Sequence, residues 1–454
     1  MTSSVTATRI DSRNGYRRAC SVTRSDLSQL RLVSIASTII ALVACSNGVT
    51  PTSSRQAQPA SEVWTTYRGD LERDGHPVTA TLDASEAAHL QLAWRANMGA
   101  AVDGSPAVSN GLVVAAAQGG RLAAYSAASG SQVWQVSGLG PITDSPTIVG
   151  NRVLAASLSG HLYAFDLSHG TRLWDWKASG IQPAIWSSPA VYGQLVLIGI
   201  GSQAGDTPLE VGRIVAVDLA SGRQVWSMCV SDGCTPGGGV WSTPAIDGDG
   251  RAFVGVGNPE DGVLAFDALT GRRLWSVSFY PDGGNDLDVG ESPVLLQVGG
   301  REAVAEGSVA GVFKLLDAAT GSLIWSQDLV SGSAVHGLIA SPAYDGNTIY
   351  VPSASPPTGI FALAPATGAT RWRHSTDLPV YSSPAVGDGV LVFGTGPVFG
   401  DVHVGSIVAL SSLDGKVMWV YDAHSAVRSS PAIAGAVVAV GDSNGDLLVF
   451  RPSS

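Results

Sequence analysis

The sequence is poor in cysteine, and its histidines are scattered, which excludes several kinds of metal site. Only four cysteines occur, and no two of them have the C-x-x-C spacing typical of zinc and redox sites. None of the eight histidines belongs to a metal-spaced pair, and no C-x-x-C-H haem attachment motif is present. The sequence therefore carries no signature of a zinc, redox-dithiol or haem centre.

Positive charge is also scarce. The whole chain has a formal net charge of −11, and residues 1–44 contribute six Arg against two Asp, which leaves −15 for the remainder. No basic stripe interrupts this acidity. Because an acidic domain repels a phosphate backbone, the sequence argues against nucleic-acid binding.

No apolar run near the N-terminus is long enough to span a membrane. The run at residues 32–44 has thirteen residues, short of the roughly 20 that a membrane-spanning helix needs. It follows an Arg-rich stretch, which predicts a secretory signal over residues 1–44. Its end, Leu-Val-Ala-Cys45, resembles a bacterial lipobox, in which the cysteine is lipidated and becomes the mature N-terminus. We expect an extracytoplasmic protein anchored to a membrane through Cys45; an ordinary signal peptide with an incidental Cys45 is the alternative.

Two further segments follow the signal. Residues 45–62 are rich in Ser, Thr, Pro, Gln and Ala, a composition that cannot bury a core and is typical of a flexible tether. Residues 63–454 form the folded domain. They contain only two cysteines, Cys229 and Cys234, which in an oxidising compartment are predicted to form a small disulfide rather than a metal site.

The folded domain is a repeat. A Ser/Thr-Pro pair followed by a small or aliphatic residue recurs about once per 40 to 55 residues, in eight copies that begin at Ser105, Ser145, Ser188, Thr243, Ser292, Ser341, Ser383 and Ser430. A tryptophan also recurs eight times, 40 to 52 residues apart, at Trp94, Trp134, Trp174, Trp226, Trp275, Trp325, Trp372 and Trp419. Eight copies of a unit of this length predict the eight blades of an all-β propeller.

The segment Val240–Trp275 displays one unit. It contains four short strand candidates separated by turn signals, at Thr243–Ile246, Ala252–Val256, Gly262–Phe266 and Arg272–Trp275. Four antiparallel strands in about 36 residues have the size of one blade.

The two repeat sets are out of step. Trp94 precedes the first Ser-Pro pair, and no tryptophan follows Ser430. The last blade therefore lacks a final strand, and Leu90–Trp94 provides a spare one. We predict that the two pair and close the ring, which removes exposed sheet edges. One tryptophan at the same place in every blade is interpreted as inter-blade packing, because burying an indole removes about 150–250 Å² from water.

The repeat A-x-D-x-x-T-G-x-x-x-W, at Ala265–Trp275 and more loosely at Ala216–Trp226, resembles that of quinoprotein-type propellers. The segment Trp64–His76 is similar to the start of polyvinyl-alcohol-dehydrogenase-like quinoproteins. The resemblance covers the whole folded domain. It implies pyrroloquinoline quinone (PQQ) and Ca²⁺, or another hard cation, as cofactors, and a small or polymeric alcohol as substrate. Because no haem motif is present, the electrons would pass to a separate acceptor.

The resemblance also implies site residues. In that family an indole lies under the PQQ ring, an Asn in a G-x-G-N-P segment 17 or 18 residues later binds the metal, and a D-x-D pair supplies a base and a further ligand. Here Trp241 is followed after 17 residues by Asn258, and then by Asp286 and Asp288. Trp241 is thus the expected floor, Asn258 and Asp288 are expected metal ligands, and Asp286 is the expected catalytic base. These types suit a flat heterocycle, a hard cation and proton removal.

Two more residues extend the match. The family uses a Glu one blade earlier as a metal ligand, and Glu210 is the nearest candidate. Trp186 holds the same Trp-Ser-x-Pro place one blade before Trp241, which makes it a second candidate cofactor contact. The alternative for the whole set is structural: a turn at Asn258, a solvated loop at the Asp pair, and two packing tryptophans.

Two departures weigh against full activity. Val309 stands where the family carries a basic residue that contacts the cofactor's carboxylates. No adjacent Cys-Cys pair is present to cover the cofactor's other face, and whether the Cys229–Cys234 loop replaces it stays open. Lipid-anchored propellers of this repeat type also serve in outer-membrane assembly without cofactor residues. A non-catalytic scaffold with a decayed site is therefore the alternative to an alcohol dehydrogenase.

Overall fold

The computed structural model describes residues 63–77, 82–203, 208–281 and 286–453. The expected signal over 1–44 and tether over 45–62, with Cys45, lie outside these residues. Within them the chain forms eight four-stranded antiparallel sheets and one short helix, α1 (Ala84–Ala87). The predicted eight-bladed, all-β propeller is confirmed. No helix in the described part of the chain is long and apolar enough to cross a membrane.

In seven blades four consecutive strands pair in order. Blade 1 consists of β2 (Ala107–Ser109), β3 (Leu112–Ala117), β4 (Arg121–Ser126) and β5 (Gln132–Val136). Blade 2 consists of β6 (Thr147–Val149), β7 (Arg152–Ala156), β8 (His161–Asp166) and β9 (Arg172–Lys177). Blade 3 consists of β10 (Ala190–Tyr192), β11 (Leu195–Ile200), β12 (Arg213–Asp218) and β13 (Gln224–Cys229). Blade 4 consists of β14 (Ala245–Ile246), β15 (Arg251–Val256), β16 (Gly262–Asp267) and β17 (Arg273–Ser278).

The next three blades repeat this plan. Blade 5 consists of β18 (Val294–Val298), β19 (Arg301–Gly307), β20 (Val312–Asp317) and β21 (Leu323–Asp328). Blade 6 consists of β22 (Ala343–Tyr344), β23 (Ile349–Ser353), β24 (Gly359–Leu363) and β25 (Thr370–Ser375). Blade 7 consists of β26 (Ala385–Val386), β27 (Val390–Gly394), β28 (Ser406–Ser411) and β29 (Val417–Asp422). Second strands are largely buried on both faces, whereas the fourth strand of blade 7 alternates between exposed and half-buried residues.

Blade 8 combines the two ends of the propeller. It consists of β30 (Ala432–Ala434), β31 (Val437–Gly441), β32 (Asp446–Pro452) and, as its fourth strand, β1 (Leu90–Asn97). β1 runs antiparallel to β32, with Leu90 opposite Pro452 and Asn97 opposite Asp446. The strand order β1-β32-β31-β30 therefore places an early strand at the outer edge of the last blade.

A tryptophan lies against a turn glycine at the seams between blades. A Cβ atom on Gly130 would come within 2.7 Å of the Trp94 ring. The same close approach recurs in six further seams, at Gly170, Gly222, Gly271, Gly321, Gly368 and Gly415. The indole nitrogen of Trp94 also donates to the carbonyl of Ala127 at 3.0 Å. The repeat tryptophans of one blade thus pack against the T-G turns of the next blade, and the turns carry glycine because a side chain would collide with the indole.

The Ser/Thr residues of the Ser/Thr-Pro motif form a ring of hydrogen bonds around the axis, which we call the hydroxyl ring. The backbone N–H of each donates to the side-chain hydroxyl of the next at 2.8–3.1 Å, at seven junctions that run from Ser105 through Ser145, Ser188, Thr243, Ser292, Ser341 and Ser383 to Ser430. At the junction of blade 8 with blade 1, the Ser429 hydroxyl donates to the Gly104 carbonyl at 2.9 Å. A hydroxyl of the motif, or at the last junction of the residue before it, therefore links one blade to the next.

Residues 64–76, which we call the plug, lie across the innermost strands. Six backbone N–H groups, one from each of six blades, donate to plug carbonyls at 2.7–2.9 Å; the donors are Val108, Ile148, Ile246, Leu295, Tyr344 and Val386. Arg68 and Arg73 are buried in the plug and donate to motif carbonyls, Arg68 to those of Pro342 and Pro384 and Arg73 to that of Pro244. The plug therefore closes one end of the central channel.

Candidate active site

A second layer of side chains surrounds the axis two positions before each Ser/Thr-Pro pair. Its members are Asp103, Thr143, Trp186, Trp241, Gly290, Ile339, Tyr381 and Arg428. Four of them also line a cavity of about 580 Å³, namely Trp186, Trp241, Ile339 and Tyr381. Because this layer lies on the side of the hydroxyl ring away from the plug, the cavity occupies the other end of the axis. Its volume is that of a small-molecule site.

Trp241 is held flat by two contacts. A Cβ atom on Gly290 would lie 2.0 Å from the Cε2 and Cζ2 atoms of the Trp241 indole, so a side chain there would displace the ring. The indole nitrogen donates to Asp288 Oδ2 at 3.2 Å. Trp186 lines the same cavity, and its indole nitrogen donates to the Ser202 carbonyl at 2.8 Å.

Asp288 connects Trp241 with Asn258. Its Oδ1 accepts a hydrogen bond from the Asn258 backbone N–H at 3.0 Å, while its Oδ2 accepts the Trp241 bond. A Cβ atom on Gly257 would lie 2.7 Å from Asp288 Oδ1, so the carboxylate fits closely against that glycine. The Asn258 side chain lies between Asp286 and Asp261, with Nδ2 placed 3.5 Å from Asp286 Oδ1.

Tyr280 supports the loop that carries the Asp pair. Its hydroxyl donates to the carbonyl of Leu287, the residue between Asp286 and Asp288. Burial raises the pKa of Tyr280 to about 12, and the nearby charges of Asp261 and Asp288 act in the same direction. Tyr280 therefore stays a neutral hydrogen-bond donor at physiological pH. In the loop that Tyr280 supports, Asp286 adopts a left-handed backbone conformation with a φ of 52°.

Five of the expected site residues line this one cavity: Trp186, Trp241, Asn258, Asp286 and Asp288. Glu210 is not among the described residues that line it. The Glu210 carboxylate instead accepts a hydrogen bond from the Gln182 backbone N–H at 2.5 Å. A disulfide joins Cys229 to Cys234, and neither cysteine is a lining residue within the described ranges.

Sequence reasoning missed Tyr381 and an apolar wall. Tyr381 Oη donates to the Val335 carbonyl at 2.9 Å and lies 2.8 Å from His336 Nδ1. Burial raises the pKa of Tyr381 to about 12. The wall consists of Leu209, Ala334, Val335, Val398 and Phe399. Tyr381 could have been found from its Tyr-Ser-Ser-Pro context, which places it where Trp241 stands in its own repeat.

The lining residues could hold the cation and the aromatic ring of a quinone site, but they offer no cationic partner for the quinone's carboxylates. Asn258, Asp286 and Asp288 offer the oxygen ligands that a hard cation prefers, and Trp241 offers an aromatic face. None of the described residues that line the cavity is Lys, Arg or His. Val309 is buried, 3% exposed, and its N–H donates to the Asp288 carbonyl at 3.1 Å. A cofactor's carboxylates would thus find no cationic side chain in this part of the lining.

Comparison with known proteins places the chain in a repeat family. The sequence profile of the PQQ_2 family, described as "Outer membrane protein assembly factor BamB", matches residues 79–288, 210–310 and 308–454. The polyvinylalcohol dehydrogenase of Sphingopyxis sp. (strain 113P3) is 25% identical over 237 residues, 44% of this chain and 34% of that protein. The polyvinylalcohol dehydrogenase of Pseudomonas sp. is 24% identical over 279 residues, 53% of this chain and 41% of that protein. The chain spans less than half the length of these curated relatives.

Solved structures share the fold. The quinohemoprotein alcohol dehydrogenase of Comamonas testosteroni has a TM-score of 0.73 at 16% identity, covering 86% of this chain and 80% of that one. BamB of Moraxella catarrhalis has a TM-score of 0.60 at 18% identity, covering 80% of this chain and 99% of that one. At such identities the likeness establishes the propeller alone.

Proposed function

The chain belongs to the PQQ_2 family, and from that premise we propose that it is a quinoprotein-type alcohol oxidoreductase whose site is the cavity above Trp241. The observation that carries the proposal is the convergence of Trp241, Asn258, Asp286 and Asp288 in one axial cavity. Two sequence relatives whose names state an alcohol dehydrogenase activity support it.

Each residue has a definite part in the proposal. Asn258 and Asp288, together with one oxygen of Asp286, would hold Ca²⁺ or another hard cation, and Trp241 would form the floor for PQQ. A bound cation supplies a Lewis acid, and PQQ supplies an acceptor for the substrate's two electrons. Asp286 takes the hydroxyl proton of the alcohol. Asp288 holds the Trp241 indole and the Asn258 backbone in place, because each of its two oxygens accepts a hydrogen bond from one of them.

The surroundings of the cavity indicate its substrates and partners. The apolar wall is suited to the carbon chain of a small or polymeric alcohol, because burying apolar surface is favourable. The sequence contains no C-x-x-C-H motif, so the electrons would leave to a separate acceptor. The signal-like N-terminus supports an extracytoplasmic site of action, with Cys45 as a lipid anchor.

A second candidate function is a non-catalytic binding scaffold, and one observation favours it. The described lining lacks a cationic side chain, and Val309 is buried where the family places a basic residue. PQQ carries carboxylates, so a cavity without such a partner would hold it weakly.

Addition of PQQ and Ca²⁺ to the purified domain from residue 63 tests the choice. The oxidoreductase proposal expects a saturable cofactor absorbance and dye-linked oxidation of alcohols, both dependent on Ca²⁺. If PQQ leaves the absorbance and the tryptophan fluorescence unchanged at every Ca²⁺ concentration, the oxidoreductase proposal fails and the scaffold takes its place.

A further inference from the structure

We propose that Asp261 is a positioning residue, which fixes the Asn258 amide so that its carbonyl oxygen, and not its nitrogen, faces Asp286. The inference deepens the proposed function and rests on it for the cation that the oxygen would bind. Asp261 belongs neither to the cavity lining nor to the motif that identified Asn258. Its position in the turn between β15 and β16 is what connects it to the site.

The backbone holds Asp261 firmly beside Asn258. The residue is 1% exposed and has a φ of 40°, a left-handed conformation that aspartate tolerates better than most residues. Its N–H donates to the Gly257 carbonyl at 3.3 Å, and its own carbonyl accepts from the Phe279 N–H at 2.8 Å. Because Asp261 follows Asn258 by three residues in this tight turn, its carboxylate comes to lie against the Asn258 side chain.

The Asn258 amide has two orientations, and their contacts differ. With Nδ2 toward Asp286, the amide makes a 3.5 Å contact to Asp286 Oδ1, and its carbonyl oxygen faces the Asp261 carboxylate. Two oxygen atoms then repel each other. With the amide turned over, Nδ2 donates to Asp261 Oδ1 at 2.7 Å and to Oδ2 at 3.1 Å. The second orientation gives up one contact at 3.5 Å for charge-assisted hydrogen bonds at 2.7 and 3.1 Å. It also moves the oxygen–oxygen contact from these short distances to 3.5 Å, so Asp261 selects it.

The selected orientation creates a pair of cation ligands. Asn258 Oδ1 then takes the place 3.5 Å from Asp286 Oδ1. Ca²⁺–oxygen distances of 2.3–2.6 Å separate two ligands at right angles by about 3.3–3.7 Å. The two oxygens are therefore spaced like neighbouring ligands of one cation. The opposite orientation would present an N–H donor to the cavity, which cannot bind a cation.

The amide orientation can be measured without any metal. In the full chain labelled with ¹⁵N-Asn, we expect one Asn258 side-chain proton to be shifted downfield, with its signal assigned through Asn258→Ser. Asp261→Ala should return that signal to the ordinary range, and Asp286→Ala should leave it in place. Asp261→Asn, which keeps the shape and one oxygen acceptor, serves if the alanine variant does not fold. A signal that follows Asp286 and ignores Asp261 overturns the inference.

Metal affinity tests the consequence. We expect Asp261→Ala to weaken Ca²⁺ binding, followed by calorimetry and by Trp-sensitised Tb³⁺ luminescence, by about 10–100-fold. Glu260→Gln removes the same charge one residue away and is the matched control, with affinity near that of the wild type. Because Asp261 acts through Asn258, it should have no further effect in the Asn258→Ala background. Additive losses, or wild-type affinity in Asp261→Ala, contradict the inference.

The two measurements separate this inference from the proposed function. If the wild-type protein binds neither Ca²⁺ nor Tb³⁺ while the Asn258 signal depends on Asp261, the proposed function fails and the positioning role stands. If the wild type binds metal and the signal is independent of Asp261, the positioning role fails and the proposed function stands.

Discussion

Arg428 and Asp103 form a salt bridge that joins the last blade of the propeller to the first. The Arg428 Nε and Nη2 atoms both lie 3.0 Å from Asp103 Oδ1, and the two side chains are 18% and 17% exposed. They occupy equivalent positions of the layer above the hydroxyl ring. At the same junction the Ser429 hydroxyl donates to the Gly104 carbonyl. Charged side chains thus reinforce the seam between the last blade and the first.

Arg428→Ala should loosen this seam. Loss of hydrogen bonds to a charged, largely buried partner predicts a decrease of about 1.5–3 kcal/mol in the free energy of unfolding. Urea denaturation measures it, and Lys416→Ala, which removes the exposed pair with Asp414, is the control expected to change stability less. Equal effects of the two substitutions would contradict the special role of the seam.

Gly290→Ala should move the Trp241 indole. The added Cβ would lie 2.0 Å from two ring atoms, far inside contact distance, so the ring has to leave its place on the axis. We expect a shifted Trp emission spectrum and about fivefold weaker binding of any ligand stacked on Trp241, since such aromatic contacts contribute about 1 kcal/mol. Gly248→Ala, at a glycine with open space around it, is the control and should change neither quantity.

Asp286→Asn should separate catalysis from cofactor binding. The amide of the variant keeps a carbonyl oxygen that can bind the cation, but it cannot accept the alcohol proton. A general base contributes about 10²–10⁴-fold to a rate. Dye-linked alcohol oxidation should fall by that factor while the PQQ absorbance of the variant persists. An active Asp286→Asn protein would show that another group removes the proton.

Stability should fall as the pH rises from about 4 to 8, because of the plug. Burial, followed by the charge of Asp70, raises the pKa of Asp74 from 3.8 to about 8. The folded protein therefore holds a proton that the unfolded chain has already lost. The stability linked to that proton is complete below pH 4 and disappears as the pH rises through 8.

Asp74→Asn checks this slope, because an amide does not titrate. Unfolding free energies between pH 5 and 8 should decline less steeply in the variant than in the wild type. Asp166, whose pKa is lowered by its hydrogen bond with the His169 side chain, titrates below this window. Asp166→Asn should therefore leave the slope unchanged; a flattened slope there would assign the effect elsewhere.

Cys45→Ala tests the proposed anchor. The variant should appear in the soluble extracytoplasmic fraction, whereas the wild type stays with membranes and is extracted by detergent. A fractionation pattern unaffected by the substitution would refute lipidation at Cys45.

The repeat made the architecture predictable, since every blade restates the same pattern. In blade 4 the second and third strands match their predicted positions to within one residue. The first strand is shorter than Thr243–Ile246, because Thr243 serves the hydroxyl ring and Pro244 has no N–H for pairing. The fourth runs beyond Trp275 to Ser278, since pairing with β16 continues past the indole.

The site was predictable only where a motif carried it. Trp241, Asn258 and the Asp pair were identified from their order and spacing. Tyr381 lies 140 residues after Trp241, and only the closure of the ring brings the two together. Gly290 acts through the space it leaves, which no sequence pattern expresses. The Glu210 carboxylate accepts a hydrogen bond from the Gln182 backbone N–H. Loop conformation sets this contact, so the spacing of residues in the sequence could not predict it.

The plug imposes an order on assembly. Its carbonyls at Trp64 and Gly75 bind Val108 and Val386, so its last partner is synthesised about 310 residues after the plug itself. The plug is synthesised first, but it can complete its hydrogen bonds only after the seventh blade has formed. In a nascent chain that stops before Val386, the plug lacks its last hydrogen-bond partner and cannot close the channel. The first residues of the domain therefore reach their final contacts only when seven of the eight blades have been made.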